Sequence, residues 1–373
     1  MEQQSERKHI KGLDGIRGVA ALLILTAHIL DIIFQGTSLF GSTHQVAALV
    51  AYSGMSLFFV LSGVVMEINY GRETNQDKKG WGFTSFMVKR IARLFPLYLV
   101  LLVCYNGISS LLVKPLVGIT YLTLTQSWAN NMQYVFAPAW SISTEFFFYF
   151  VFIFINEIRK KQPRGIPTGT NTNFMVILLL GVTFHSLIFS NLDQLAENLS
   201  ILKRSSNENL QAYFSYYAPY TRIVEFLIGM VVGRNLIKFP KDLPSKMSIT
   251  FALAISSVFA VLYVLKTSFG GYIVQNFALA PTWAILIWLV ATQKQSAKIF
   301  EAWGLRKTGE ISYGIYLLQF MVMTTLVILM PGNDALSKVS KVFGIIVLTY
   351  CLAYGSSVLI EKPARSYLRR ISN

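Results

Sequence analysis

Ten apolar stretches, each of roughly the 20 residues that a bilayer requires, recur along this chain. They cover approximately residues 14–34, 46–68, 91–113, 140–157, 174–191, 219–236, 247–265, 272–291, 310–330 and 341–360. Only 14% of the residues are charged, whereas a typical soluble protein has about 25%. Backbone polar groups in lipid must be satisfied within the segment, so these stretches favour helices. The sequence predicts an all-α, multi-pass membrane protein of about ten spans, as one domain over residues 1–373 without an appended soluble domain.

The basic residues are distributed unevenly between the two sides of this predicted bundle. The N-terminal segment, the even-numbered connections and the tail hold 26 of the 33 lysines and arginines, and the odd-numbered connections hold 7. Positively charged connections stay in the cytoplasm, so we expect both termini there and the protein in the cell (cytoplasmic or inner) membrane. Topology thus explains the net charge of +15 without a nucleic-acid partner. Cys104 and Cys351 lie in apolar runs and form no disulfide framework.

A polar stripe runs along the first predicted span. Arg17 and His28 are eleven residues apart, which places them within about 20° of one face and roughly 16 Å apart along a helix. Asp14 and Asp31 lie near the same face. An ionisable group inside the membrane is a functional-site hypothesis. Both residues also have a structural alternative. His28 could be neutral and hydrogen-bonded between helices, and Arg17 could extend its head group to the membrane interface or pair with Asp14.

Further charged residues open other spans. Glu145 needs a partner in lipid, and we expect it to orient His28, as Asp31 could, or to hold an acceptor hydroxyl. Arg222 and Glu225 share one helical face, and their alternative role is a buried ion pair that fixes helix register. Arg90, near the start of the third span, belongs to a basic group. This group either binds phosphate or holds that end of the span on the cytoplasmic side of the membrane. The members of that group are Lys89, Arg90 and Arg93.

Other polar and aromatic residues carry weaker signals. Ser62, Ser141 and Ser143 have no histidine nearby in sequence, so close helix packing is their predicted role. His185 has no charged companion and is predicted to be a core histidine. Aromatic residues in the longest predicted outward connections, about 114–139 and 192–218, serve either as interface anchors or as surfaces for sugar rings.

Seven short motifs recur in a fixed order along nearly the whole chain. They are Leu13-Asp-Gly-Ile-Arg17 followed by His28, Phe58-Phe-Val-Leu-Ser-Gly63, Lys89-Arg90-Ile-Ala-Arg93-Leu-Phe-Pro96-Leu-Tyr98, Trp140-Ser141-Ile-Ser143-Thr-Glu145, Arg222-Ile-Val-Glu225-Phe226-Leu-Ile-Gly229, Gly309-Glu-Ile-Ser312-Tyr313-Gly-Ile-Tyr316-Leu-Leu-Gln319 and Glu361-Lys-Pro363-Ala-Arg365. In this combination the chain resembles the acyltransferase-3 family of integral membrane O-acyltransferases. It departs from the family at Leu318-Gln319, where Trp-His is frequent.

The resemblance implies the partners and the site. The donor would be acyl-coenzyme A, usually acetyl-coenzyme A, and no cofactor or metal would be permanently bound. The acceptor would be a hydroxyl of a lipid-linked or nascent polysaccharide such as exopolysaccharide or O-antigen. The catalytic residues would be His28, Arg17 and Glu145. Binding residues would be Asp14, Arg90, Arg93, Ser143, Tyr149, Arg222, Glu225 and Tyr316.

The residue types suit this chemistry. Acyl transfer to a hydroxyl needs a base and donors or positive charge near the thioester oxygen. An unperturbed imidazole, with a pKa near about 6.5, makes His28 a suitable base, and the planar fork of Arg17 suits phosphate. Two alternatives stay open: a glycan transporter or flippase without chemistry, since ionisable residues in spans also mark transport paths, and O-acylation of a small molecule.

Overall fold

The computed structural model describes most of the chain, with gaps between the helices. The described residues are 10–35, 43–71, 82–105, 114–128, 136–161, 170–191, 194, 213–238 and 268–372. Within these ranges the regular structure is helical, with no strand. The predicted span 247–265 lies outside them.

The helices follow the predicted spans closely. They are α1 (Lys11–Ile33), α2 (Thr43–Tyr70), α3 (Phe83–Cys104), α4 (Pro115–Leu122), α5 (Ala139–Lys161), α6 (Thr170–Ser190), α7 (Ile223–Lys238), α8 (Ser268–Asn276), α9 (Ala280–Thr292), α10 (Lys294–Phe300), α11 (Trp303–Glu310), α12 (Ser312–Leu329), α13 (Ala335–Ser356) and α14 (Lys362–Ser372). A π-helical turn, Tyr213–Tyr217, and a 3₁₀ turn, Pro219–Arg222, precede α7. Another π-helical turn, Ser357–Glu361, joins α13 to α14.

Six described segments are long and apolar enough to cross a membrane. They are Lys11–Ile33, Thr43–Tyr70, Ala139–Arg159, Tyr272–Thr292, Ser312–Leu329 and Ala335–Leu368. The prediction of an all-α membrane protein is confirmed. The number of ten spans and the cytoplasmic position of the termini stay predictions.

Local sequence explains several helix boundaries. Asp334 begins α13, because its carboxylate accepts a hydrogen bond from the backbone N–H of Ser337 at 3.2 Å, the usual role of a helix N-cap. Pro96 lies inside α3, where a proline removes one backbone hydrogen bond and kinks the helix. Tyr313 of α12 donates its hydroxyl to the nearby Leu94 carbonyl at 2.5 Å. This contact ties α12 to α3 beside the kink.

The close crossing of α2 with α7 lies at the centre of the bundle. A Cβ atom at Gly229 would overlap the carbonyl group of Val60, and one at Gly63 would overlap the carbonyl of Phe226. The two backbones therefore touch, as small residues allow in membrane helices. The glycine of Phe58-Phe-Val-Leu-Ser-Gly63 and the last glycine of the Arg222–Gly229 motif thus serve packing.

We expect Gly229→Val to destabilise the protein by about 1–3 kcal/mol, since an added side chain must push two packed helices apart. Thermal unfolding in detergent micelles measures this effect. The matched control is Gly355→Ala in α13, where a Cβ atom meets no other atom within 4 Å and stability should be kept. Equal melting temperatures for wild type and Gly229→Val would contradict the close crossing.

A second close approach fixes the beginning of α1. A Cβ atom at Gly309 would overlap the carbonyl of Asp14, and one at Gly18 would overlap the carbonyl of Leu305. The first turns of α1 therefore lie directly on the backbone of α11. This contact sets the rotation of α1, and with it the direction in which Arg17 points.

Candidate functional site

A cavity opens between α1, α2, α3, α5 and α12. Its space, counted with its open mouth, is about 770 Å³. Side chains of α2, among them Met55, Phe58 and Phe59, form an apolar wall. The polar lining residues are Arg17, Ser62, Arg90, Arg93, Ser141, Glu145, Ser312, Tyr313 and Tyr316.

Three arginines from α1 and α3 occupy one end of the cavity, which we name the arginine end. Arg17 lies 3.2 Å from Asp14, with its side chain 18% exposed. The guanidinium of Arg90 is buried and lies 4.6 Å from the ring centroid of Tyr70. Its Nε has no hydrogen-bond acceptor among the described residues. Arg93 is close enough to Arg17 for their charges to interact. Arg17 thus forms the pair with Asp14 that one alternative predicted and also lines the cavity, while its contact with phosphate stays a prediction.

Glu145 is the one carboxylate among the described residues that line this cavity. It accepts a hydrogen bond of 3.0 Å from the hydroxyl of Tyr149, one helical turn further along α5. Its charge also acts on Arg17. Three arginines outnumber the two carboxylates beside them, Glu145 and Asp14, and leave the arginine end positive, an environment suited to phosphate groups. Tyr149 itself is buried behind Glu145 rather than on the cavity wall.

Two hydroxyl groups meet on the wall between the arginine end and the opposite side. The hydroxyl of Ser141 lies 2.8 Å from that of Tyr316, and both reach the carbonyl of Pro138, at 3.1 and 3.3 Å. The role predicted for Ser141 was packing, so sequence reasoning missed this pair. Ser143, predicted to bind substrate, instead donates to the carbonyl of Leu124 at 2.7 Å and is buried. It lies two residues after Ser141, a rotation of about 200° around α5, and is therefore turned away from the cavity.

His28 lies beyond the cavity rather than on its wall. Its ring packs edge-on against Phe320, with centroids 4.5 Å apart. Phe320 lies one turn, or roughly 6 Å, beyond Tyr316 along α12. Because α1 is one continuous helix, Arg17 and His28 lie within about 20° of one face, as the polar stripe predicted. His28 packs against α12, and Arg17 lines the cavity that α12 also borders. No described residue forms a hydrogen bond with the imidazole, so the alternative of a histidine bonded between helices finds no partner within the described ranges.

The two carboxylates proposed as partners of His28 are engaged elsewhere. Asp31 lies 2.8 Å from Nδ1 of His44, across the connection from α1 to α2. Glu145 points to the arginine end and Tyr149. Neither carboxylate forms a hydrogen bond with His28 among the described residues, although the charge of Asp31 acts on the imidazole. The orienting role of Asp31 or Glu145 stays a prediction.

Arg222 and Glu225 lie fully buried and away from the cavity wall. Arg222 Nε is 3.0 Å from Glu225 Oε2, and its guanidinium also donates to the carbonyl of Gln275. It packs over the rings of Phe59 and Tyr216, at 5.2 and 4.8 Å. This matches the ion-pair alternative. A direct substrate contact would need an exposed atom, which neither side chain has.

A buried carboxylate that sequence reasoning missed joins three helices. Glu67 of α2 is inaccessible, and its oxygens lie 2.8 Å from Arg159 of α5 and 3.3 Å from Arg234 of α7. The sequence signal for this buried carboxylate was a single glutamate near the end of an apolar run. Gln319, at the departure from the family pattern, is also buried and donates to the carbonyl of Tyr316 at 3.0 Å.

We expect Glu67→Gln to lower stability by about 1–3 kcal/mol, because two arginines lose their charged acceptor. Thermal unfolding in micelles measures the loss. Glu310→Gln is the matched control: its pair with Lys307 at 2.9 Å is solvent-exposed, and such pairs contribute only about 0–1 kcal/mol. Equal losses in the two variants would contradict the bridging role of Glu67.

Comparison with known proteins agrees with this arrangement. A family model described as an acyltransferase domain matches residues 10–360. The chain is 25% identical over 334 residues to "Acyltransferase MdmB" of Streptomyces mycarofaciens, covering 84% of this chain and 79% of that protein. It is 25% identical over 395 residues to a provisionally named peptidoglycan O-acetyltransferase, YrhL, of Bacillus subtilis, covering 98% of this chain and 57% of YrhL.

A shorter similarity and the search of solved structures complete the comparison. "Protein 2 in picA locus" of Rhizobium radiobacter is 39% identical over 90 residues, which are 24% of this chain and 40% of that protein. No solved structure matches the chain. The family match covers almost all of the described helices, including every residue that lines the cavity. The chain belongs to the acyltransferase-3 family of membrane proteins.

Proposed function

We propose that this acyltransferase moves an acyl group, acetyl in the first instance, from acyl-coenzyme A to a hydroxyl of a glycan. The observation that carries the proposal is the cavity, which combines three arginines, an apolar wall and a pair of hydroxyls. Similarity to a protein named as a peptidoglycan O-acetyltransferase supports acetyl as the group and a glycan as the acceptor.

The donor would lie with its phosphates at the arginine end. Arg17, Arg90 and Arg93 offer planar donors to phosphate oxygens, and Arg90 Nε is without an acceptor among the described residues. The pantetheine arm would extend along the apolar wall of α2. Its thioester would then reach the hydroxyls of Ser141 and Tyr316, and donors placed there stabilise the negative oxygen of the tetrahedral intermediate.

His28 would act as the general base at the far side of the thioester. It accepts the proton of the acceptor hydroxyl, whose oxygen attacks the thioester carbonyl carbon. A carbon–oxygen bond forms, the carbon–sulfur bond breaks, and the departing thiolate takes up the proton. The contact of His28 with Phe320, one turn beyond Tyr316 on α12, supports this order.

Purified protein in proteoliposomes, supplied with radiolabelled acetyl-coenzyme A and de-O-acetylated envelope polysaccharide, tests the function. We expect label on the polysaccharide in step with release of free coenzyme A. Movement of glycan across the bilayer without coenzyme A release would favour the transporter alternative. Label on added small alcohols but never on polysaccharide would favour acylation of small molecules.

A further inference from the structure

Helix α2 runs along the cavity and gives the order of the groups on its wall. At the arginine end, the guanidinium of Arg90 lies 4.6 Å from the ring centroid of Tyr70, the last residue of α2. The α2 residues that line the cavity follow toward the beginning of the helix as Met66, Val65, Ser62, Leu61, Phe59, Phe58 and Met55. At 1.5 Å per residue, the stretch from Met66 to Met55 is about 16 Å long. Met55 is therefore the lining residue of α2 that lies farthest from the arginine end.

The hydroxyl pair of Ser141 and Tyr316 lies near the Met55 end of this wall. The ring centroid of Tyr316 is 6.3 Å from that of Phe58, and Met55 is about one helical turn before Phe58. Helix α5 shows the same order, because Glu145 faces the arginine end and Ser141 lies one turn nearer the beginning of the helix. A thioester at the hydroxyl pair would thus have about one helical turn of wall beyond it.

Packed aromatic rings occupy the next turn behind Met55. Tyr52, three residues before Met55, has its ring centroid 5.3 Å from that of Tyr216 and does not line the cavity. The ring of Tyr216 also packs at 5.1 Å against Trp140, a buried residue at the beginning of α5. The guanidinium of Arg222 lies 4.8 Å from the ring centroid of Tyr216. Among the described residues, these contacts close the cavity behind Met55.

The closed end of the cavity is apolar apart from the hydroxyl pair. Its side chains come from Met55, Phe58, Phe59 and Ile142. Met55 and Phe59 are buried, and the ring of Phe59 is held edge-on against Trp140 at 6.1 Å. One turn of helix is roughly 5 Å long, so the methyl group of an acetyl thioester would fit there, whereas a longer chain would meet the side chain of Met55.

We propose that this closed end is the acyl subsite and that Met55 sets the longest acyl chain the enzyme accepts, in favour of acetyl. The inference rests on the proposed function for the identity of the donor. An apolar pocket discriminates between chains that differ by one methylene by about 10- to 200-fold. The acceptor hydroxyl would approach from the side where His28 packs against Phe320 of α12, which leaves the closed end to the acyl group.

Binding of donor analogues that cannot be transferred tests the subsite on the full chain in nanodiscs. The probes are the thioethers S-methyl-, S-ethyl-, S-propyl- and S-butyl-coenzyme A, of which S-ethyl-coenzyme A matches acetyl in length. Calorimetry should show that the wild type binds S-ethyl-coenzyme A about tenfold or more tightly than S-butyl-coenzyme A. Met55→Ala should bind the butyl thioether at least as tightly as the ethyl thioether, because the shorter side chain opens the closed end.

Met66→Ala is the matched control, because it makes the same change on the same wall but near the arginine end. It should change the affinities for all four thioethers alike and keep the wild-type ratio between ethyl and butyl. Met55→Leu, which conserves volume, should also keep this ratio. Met55→Phe fills the closed end and should lower the affinity for S-ethyl-coenzyme A at least fivefold relative to S-methyl-coenzyme A. If melting temperatures show that Met55→Ala does not fold, Met55→Phe and Met55→Leu give the comparison.

The same ratio of ethyl to butyl affinity in the wild type, Met55→Ala and Met55→Phe would overturn the acyl subsite. Equal binding of all four thioethers to the wild type would overturn it as well. In both cases the analogues still bind, so the donor of the proposed function survives. If neither acetyl-coenzyme A nor any thioether binds the wild type, the proposed donor itself is wrong and the inference fails with it.

Discussion

Replacing His28 with alanine lowers acyl-transfer turnover by about 10²- to 10⁴-fold, the usual contribution of a general base. The imidazole has no hydrogen-bond partner among the described residues and packs against Phe320, which lies one turn beyond Tyr316 on α12. Its removal therefore takes away a proton acceptor without breaking a polar contact. The measurement is turnover at saturating donor and acceptor, with the melting temperature expected to change little.

His44→Ala is the matched control for His28. His44 lies in the first turn of α2, close to the end of α1. Its side chain is 78% exposed and bound to Asp31, so turnover should be kept. Glu145→Gln identifies the alternative base. If Glu145→Gln abolishes turnover while His28→Ala retains it, the proton goes to Glu145 and the assignment of His28 is wrong.

Replacing Arg17 with alanine raises the apparent KM for acetyl-coenzyme A by about 10- to 100-fold, the effect of losing hydrogen bonds to a charged phosphate. Arg17→Lys keeps the charge but loses the fork geometry, so its KM should lie between those of wild type and Arg17→Ala. The KM for the acceptor should change little, because Arg17 lies at the arginine end, roughly 16 Å along α1 from the proposed base His28. Initial rates over a range of donor concentrations measure the effect.

Arg370→Ala controls for the loss of a positive charge. Arg370 is exposed on α14, outside the cavity, and its removal should leave the donor KM unchanged. If both Arg17 variants keep the wild-type donor KM, Arg17 serves only its ion pair with Asp14, and the donor site lies elsewhere.

Local pattern was sufficient to predict the helices but not their mutual contacts. The lengths of the apolar runs predicted α1, α2 and α12, because a membrane helix satisfies its backbone hydrogen bonds within itself and needs no neighbour for this. Helical periodicity also predicted that Arg17 and His28 share a face, and both lie on the one continuous helix α1. The glycine motifs were recognisable as sequence, although their backbone contacts, such as Gly229 with Val60, depend on a partner helix.

Contacts between distant parts of the chain could not be predicted in this way. Ser141 and Tyr316 are 175 residues apart, and no local periodicity brings two such hydroxyls together. Glu145 was assigned to His28 from estimated depth alone, but the rotation of α5 turns it toward Arg17. Arg222 and Glu225 carried the right spacing for a pair, while their complete burial depends on packing from α2 and on the Gln275 carbonyl.

The central claim is that the donor phosphates lie at the arginine end and that the acceptor hydroxyl meets His28 from the far side, so we expect acyl transfer to cross the bilayer. Proteoliposomes with the protein in one orientation, established by protease access to the tail, test it most directly. Labelled acetyl-coenzyme A is placed only on the side of the termini and polysaccharide only on the opposite side. We predict labelled polysaccharide in this arrangement and none when the two substrates are exchanged. Product that forms only when both substrates share one side would contradict the claim.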